Sequence, residues 1–140
     1  NLFISKREVS GFLKRVTAAS FQVDEREATG RAERFGAFKF LCNNIRVDVI
    51  LASTELEREA FRRRQKITFF GKGMFFPTPE DLILLKLIPG RHKDMADTES
   101  IALRHKGKLD VGYLQKWAQQ ICDEAEDSRV MRELEKLLAL

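Results

Sequence analysis

The sequence predicts an α/β (α+β) protein: a small mixed β-sheet flanked by helices, with a helical C-terminal part. Three observations predict it. Residues 37–51 alternate apolar and polar residues on both sides of Asn43-Asn44, the pattern of a tight hairpin. A second apolar-rich pair of short runs surrounds Gly71-Lys72-Gly73. Beyond Thr78 the apolar residues recur only at helical spacing. The 140 residues suit one ordinary domain, sheet-rich over 1–77 and helical over 78–140. A composition of 44% hydrophobic and 33% charged residues excludes a disordered chain.

Each element has its own signal. Leu2-Phe3-Ile4 is a short apolar strand, and Val9, Phe12, Leu13 and Val16 mark a helix over 9–16. The polar stretch from Asp24 to Arg34 reads as a loop or irregular crossing. A hairpin turning at Asn43-Asn44 fixes its own register. Cys42 faces Ile45, Phe40 faces Val47 and Phe38 faces Val49, while Leu41, Lys39 and Ala37 oppose Arg46, Asp48 and Ile50. Thr54 with Glu57 three residues on makes a capping box for a helix over about 55–64. Residues 67–70 and 74–76 read as a second pair of strands. Thr78-Pro79-Glu80 opens another helix that stops near Pro89-Gly90. Helices follow over roughly 92–105, after Asp110, and around Val130, Leu134, Leu137 and Leu138.

Composition narrows the function classes. No apolar run is long enough to cross a bilayer, so no membrane partner is expected. Nothing at the start reads as a secretory leader, which points to the cytoplasm. The chain does not begin with Met, so upstream residues are expected. Cys42 and Cys122 lack metal-ligand spacing and read as free, buried thiols. A net charge of +4 favours an anionic partner only mildly, because 21 acids dilute 25 bases. Eleven Phe against one Tyr and one Trp suggest that the aromatics fill a core. Walker, G-x-G-x-x-G, G-x-S-x-G and H-E-x-x-H patterns are absent, and His92 and His105 sit at no zinc spacing.

Four groups of residues are candidates for chemistry. Asp48 lies mid-strand between β-branched neighbours, where a carboxylate is costly unless partnered. It either pairs with Lys39 across a solvated sheet face or is held rigidly to bind metal or accept a proton. Lys86 interrupts the greasy helix Leu82–Ile88. Its ammonium either snorkels to water or enters a cleft to meet phosphate. Asp94 and Asp97 share one side of the next helix, with Arg91 near that side. They either complement the helix dipole or anchor Lys86. Arg62-Arg63-Arg64-Gln65-Lys66 reads as a solvated helix end, with phosphate or RNA contact as the other reading.

Three stretches together resemble bacterial nucleotidyltransferase-fold proteins of the abortive-infection and toxin–antitoxin type. They are Arg46-Val-Asp-Val-Ile50, Phe76-Pro-Thr-Pro-Glu-Asp-Leu-Ile-Leu-Leu-Lys86 and Arg91-His-Lys-Asp-Met-Ala-Asp97. The K-D-x-x-D run after the lysine helix is the most specific part. The resemblance implies transfer of a nucleoside monophosphate from a nucleoside triphosphate to an acceptor hydroxyl on RNA or protein, with Mg2+. It implies an antitoxin protein as a further partner. It places Asp48 as the third carboxylate of the family, a metal ligand and proton acceptor, and Lys86, Arg91, Asp94 and Asp97 at the nucleotide. The family's glycine-serine turn and D-x-D strand are not found in these residues. By register Asn1 stands at or just beyond the second acid, a weaker metal ligand than a carboxylate. The 140 residues alone are therefore expected to be catalytically crippled. A non-catalytic nucleotide-binding or protein-interaction module, or an RNA-binding module, is the alternative.

Overall fold

The computed structural model describes residues 2–140, so Asn1 lies outside the described residues. The chain divides into two compact units, residues 1–61 and 62–140.

The first unit is built on a mixed sheet of β1 (Leu2–Ile4), β2 (Ala37–Cys42) and β3 (Ile45–Leu51). β3 is central, parallel to β1 and antiparallel to β2. The β2–β3 register pairs Phe38 with Val49, Phe40 with Val47, Cys42 with Ile45 and Lys39 with Asp48. Asn43 and Asn44 turn the chain with φ of 49° and 63°, the left-handed pair that a two-residue hairpin needs and Asn tolerates. Period-two alternation then sends Phe38, Phe40, Val49 and Leu51 into a buried cluster. Leu13 and Val16 of α1 (Val9–Ala18) and Ala28 and Ala32 of α2 (Glu25–Phe35) belong to the same cluster.

α2 replaces the loop expected over 24–34. The polar composition concealed good helix grammar. The Asp24 carboxylate accepts the Glu27 N–H at 2.8 Å, and Glu25 and Glu27 suit the positive end of the helix dipole. Ala28 and Ala32, one turn apart, supply a narrow buried stripe, and Gly36 closes the helix at φ 64°. α3 (Glu55–Arg63) starts with the expected capping box. The Glu57 N–H donates to the Thr54 hydroxyl at 3.1 Å, and the Thr54 N–H donates back to the Glu57 carboxylate at 2.9 Å. Burial pushes the Glu57 carboxyl up, but the backbone N–H groups of Thr54 and Ser53 and both hydroxyls outweigh it and hold it below the usual range.

The second unit opens with a separate two-stranded hairpin, β4 (Gln65–Phe69) and β5 (Lys72–Phe76). Its turn is Phe70-Gly71, both at positive φ, and not Gly71-Lys72-Gly73 as the sequence suggested. Lys72 and Gly73 instead pair with Phe69 and Thr68. Four helices follow: α4 (Pro79–Leu87), α5 (His92–Arg104), α6 (Val111–Ala125) and α7 (Arg129–Leu138). They pack together around Ile83, Leu84, Leu87, Leu114, Ala118 and Leu134, all fully buried. Cys122 is buried among these helices, whereas Cys42 at the end of β2 is only half-buried; both are free. Nor do the phenylalanines mostly fill a core. Phe38 and Phe40 are buried, while Phe3, Phe35, Phe69, Phe70, Phe75 and Phe76 are exposed. No described helix is long and apolar enough to cross a membrane.

Candidate functional site

Asp48 sits on the central strand of the first unit, its side chain 41% exposed. The expected cation across the hairpin, Lys39, is directly opposite in register, but the ion pair forms with Arg46 at 3.3 Å. Residues i and i+2 of a strand share a face, and the guanidinium folds along it. A pair this exposed contributes little to stability. The carboxylate is rigidly mounted and open on one side.

The second unit brings the other four candidates together. Lys86, in the last turn of α4, reaches the first turns of α5, where its Nζ lies 2.5 Å from Asp97 Oδ2 and 3.5 Å from Asp94 Oδ1. Arg91, the residue before α5, donates from Nε to Asp94 Oδ2 at 2.5 Å. The two cations and two acids form one neutral network. Exposure separates its members. Asp94 is 6% exposed and held from both sides, whereas Asp97 is 44% exposed and touches Lys86 alone in the network. The Arg91 guanidinium, followed by the smaller contribution of Lys86, holds the Asp94 carboxyl below the usual carboxylate range despite its burial. Lys86 thus neither snorkels freely nor loses its charge partner: its ammonium is shared between two carboxylates.

A second polar cluster, at the other end of α4, was missed in the sequence. Asp81 is fully buried. It accepts the Tyr113 hydroxyl at 2.5 Å and the Thr78 hydroxyl at 2.7 Å, and Arg63 Nε approaches it to 3.3 Å without the alignment of a hydrogen bond. The Arg63 guanidinium lies 3.7 Å over the Tyr113 ring. Beside it, Glu80 accepts the Asp110 N–H at 3.0 Å. Burial raises the Glu80 pKa, but the Asp110 and Glu80 N–H groups, the Thr78 hydroxyl and the Arg63 charge together hold it below the usual range. In the sequence Asp81 looked like an ordinary first-turn acid and Arg63 like part of a solvated run. The available signal was Tyr113, one polar tip on an otherwise apolar helical stripe. This cluster ties the start of α4 to α6 and fixes the helix that presents Lys86.

Among the described residues no three His, Cys, Asp or Glu side chains gather to hold a metal ion. Asp48 offers one carboxylate, already beside a guanidinium, and that donor set does not by itself fit a divalent cation. Asn1, the other expected ligand, lies outside the described residues.

No curated protein and no solved structure matches the chain. A family model matches residues 39–138, more than two thirds of the chain, and takes in β3, the hairpin and both polar clusters of α4. That match assigns the fold-and-motif resemblance to a defined group: the chain belongs to the family described as a nucleotidyltransferase of unknown function (DUF6036).

Proposed function

We propose that this chain handles a nucleoside triphosphate in the transfer of a nucleoside monophosphate to an acceptor hydroxyl on RNA or protein. Family membership supports the reaction class. The observation that carries the residue assignment is the asymmetry of the Lys86 network, in which one acid is buried and doubly held and the other is open and singly held.

In this reading the nucleotide phosphate competes with Asp97 for the Lys86 ammonium. Both are anions with oxygen acceptors, and exchanging one for the other keeps the ammonium paired. Asp94 stays in place, holding Arg91 and Lys86 at the correct spacing. Asp48 accepts the proton of the attacking hydroxyl, a role that its rigid strand and open side suit. The acceptor oxygen forms a bond to the α-phosphorus, and pyrophosphate leaves. Magnesium belongs to the proposal as the resemblance implies it, and it would need carboxylates beyond Asp48. A cytoplasmic setting and an antitoxin partner belong to the same proposal.

Incubating the protein with α-labelled nucleoside triphosphates, magnesium and total RNA or protein acceptors tests the reading. Label should enter an acceptor, and Asp48→Asn should abolish incorporation while leaving the melting temperature unchanged. Incorporation that survives in Asp48→Asn removes Asp48 from the reaction.

The non-catalytic alternative has its own supporting observation, the single-carboxylate donor set at Asp48. It predicts nucleotide binding without transfer.

A further inference from the structure

The β4–β5 hairpin is the part of the second unit that the transfer reading does not use. Every residue of both strands is exposed. Strands that bury no face gain little from packing, so this composition is not explained by a local core. Its two faces differ. Register places Gln65, Ile67, Phe69, Lys72, Met74 and Phe76 on one face and Lys66, Thr68, Gly73 and Phe75 on the other. On the second face the Arg64 guanidinium lies 4.9 Å over the Phe75 ring, and the Lys66 stem lies across Gly73, where an added Cβ would sit 2.5 Å from it. At the tip Phe70 is 91% exposed with its ring 4.5 Å from that of Phe69.

Charge points to the occupant. Residues 62–76 contain Arg62, Arg63, Arg64, Lys66 and Lys72 and no acid, in a chain whose net charge is only +4. Arg63 is committed to Asp81, and Lys66 and Lys72 lie on the hairpin itself. Cations alternating with exposed aromatic rings offer two interactions at once. The cations neutralise a phosphate backbone, and the rings stack on unpaired bases. An apolar protein partner would use the rings but leave this one-signed charge unmatched, and a duplex would offer no open base faces.

We propose that the β4–β5 hairpin binds single-stranded RNA, the strand wrapping the tip at Phe70 from Lys66 and Phe75 on one face to Lys72 on the other, with its bases stacking on Phe75 and Phe70. The inference is independent of nucleotide transfer, because the binding needs neither nucleotide nor Asp48.

Fluorescence anisotropy of a labelled oligouridylate of roughly 12 nucleotides, with the whole chain titrated across a range of salt and no nucleotide present, tests it. The chain should bind the single strand, more tightly than a duplex of equal length, and weaken steeply with salt. Lys66→Ala with Lys72→Ala should lower the log–log salt slope by about 1.4, at about 0.7 per phosphate contact. Phe70→Ala with Phe75→Ala should weaken binding about thirty-fold or more with the slope kept. These four side chains are exposed, so unchanged circular-dichroism melting is expected in both variants. Absence of binding at low salt, equal affinity for duplex, or variants that bind like the parent would overturn the proposal. So would hairpin-dependent binding to anionic vesicles, or hairpin-dependent self-association, in a protein that does not bind the oligonucleotide.

Discussion

Asp48 and Asp81 are both aspartates set among apolar neighbours in regular structure, yet their surroundings are opposite. Asp81 is fully buried, with two hydroxyls and a guanidinium around it. Asp48 is 41% exposed and has one ion pair. Burial without partners would cost several kcal/mol, so Asp81 exists only because its partners do. Asp48 carries no such debt and keeps lone pairs facing solvent. A carboxylate that is fully satisfied builds architecture; one that is rigid and half-exposed, with a single ion pair, has room for a second partner.

The largest expected effect separates the two directly. Asp81→Ala leaves Arg63 without its buried partner and should cost about 3–5 kcal/mol in urea unfolding. Asp48→Ala should stay within about 0.5 kcal/mol. Equal costs would erase the distinction.

The far end of α4 sharpens it. The Arg129 guanidinium donates to the carbonyls of Leu87 and Ile88 at 2.9 and 2.6 Å, satisfying groups that the helix end leaves open. It passes so close to Gly90, at φ 60°, that an added Cβ would sit 2.4 Å from Nη1. Gly90→Ala should therefore cost about 1–2 kcal/mol, from left-handed strain and a displaced cap, read as a lowered urea midpoint.

Lys86 lies between the two extremes, with its side chain 24% exposed. Lys86→Met keeps the apolar stem and should cost about 1 kcal/mol, because only one of its two acids is buried. The smallest effect is in acid. The Asp94 carboxyl is held below its ordinary value, so its folded form binds its proton less readily than its unfolded form does. Its stabilisation is present above about pH 4 and is lost as pH falls through the lowered value. Urea midpoints measured from pH 5 to pH 3 should fall less steeply in Asp94→Asn than in the parent.

How much of this was legible in the sequence follows from whether the signal was local. The β2–β3 register was readable because Asn43-Asn44 fixes the turn and alternation fixes the face. The Thr54–Glu57 capping box and the Thr78 N-cap were readable for the same reason. The Lys86–Asp97 pair was one of two readings open in the sequence, since spacing places both groups but cannot show that α4 and α5 pack against each other. α2 was missed because its buried stripe is two alanines, too faint against nine other residues. Tyr113, thirty-two residues from Asp81, is joined to it only by tertiary packing. The exposed hairpin contradicted an inference from composition: counting phenylalanines cannot say which sheet has a covering layer.

The most direct test of the account is nucleotide affinity, measured by isothermal titration with a nucleoside triphosphate, in Asp97→Asn and Lys86→Met. If phosphate replaces Asp97 at the ammonium, removing that competing charge tightens binding several-fold and Lys86→Met weakens it by ten-fold or more. Weaker binding in Asp97→Asn, or unchanged binding in Lys86→Met, contradicts the account.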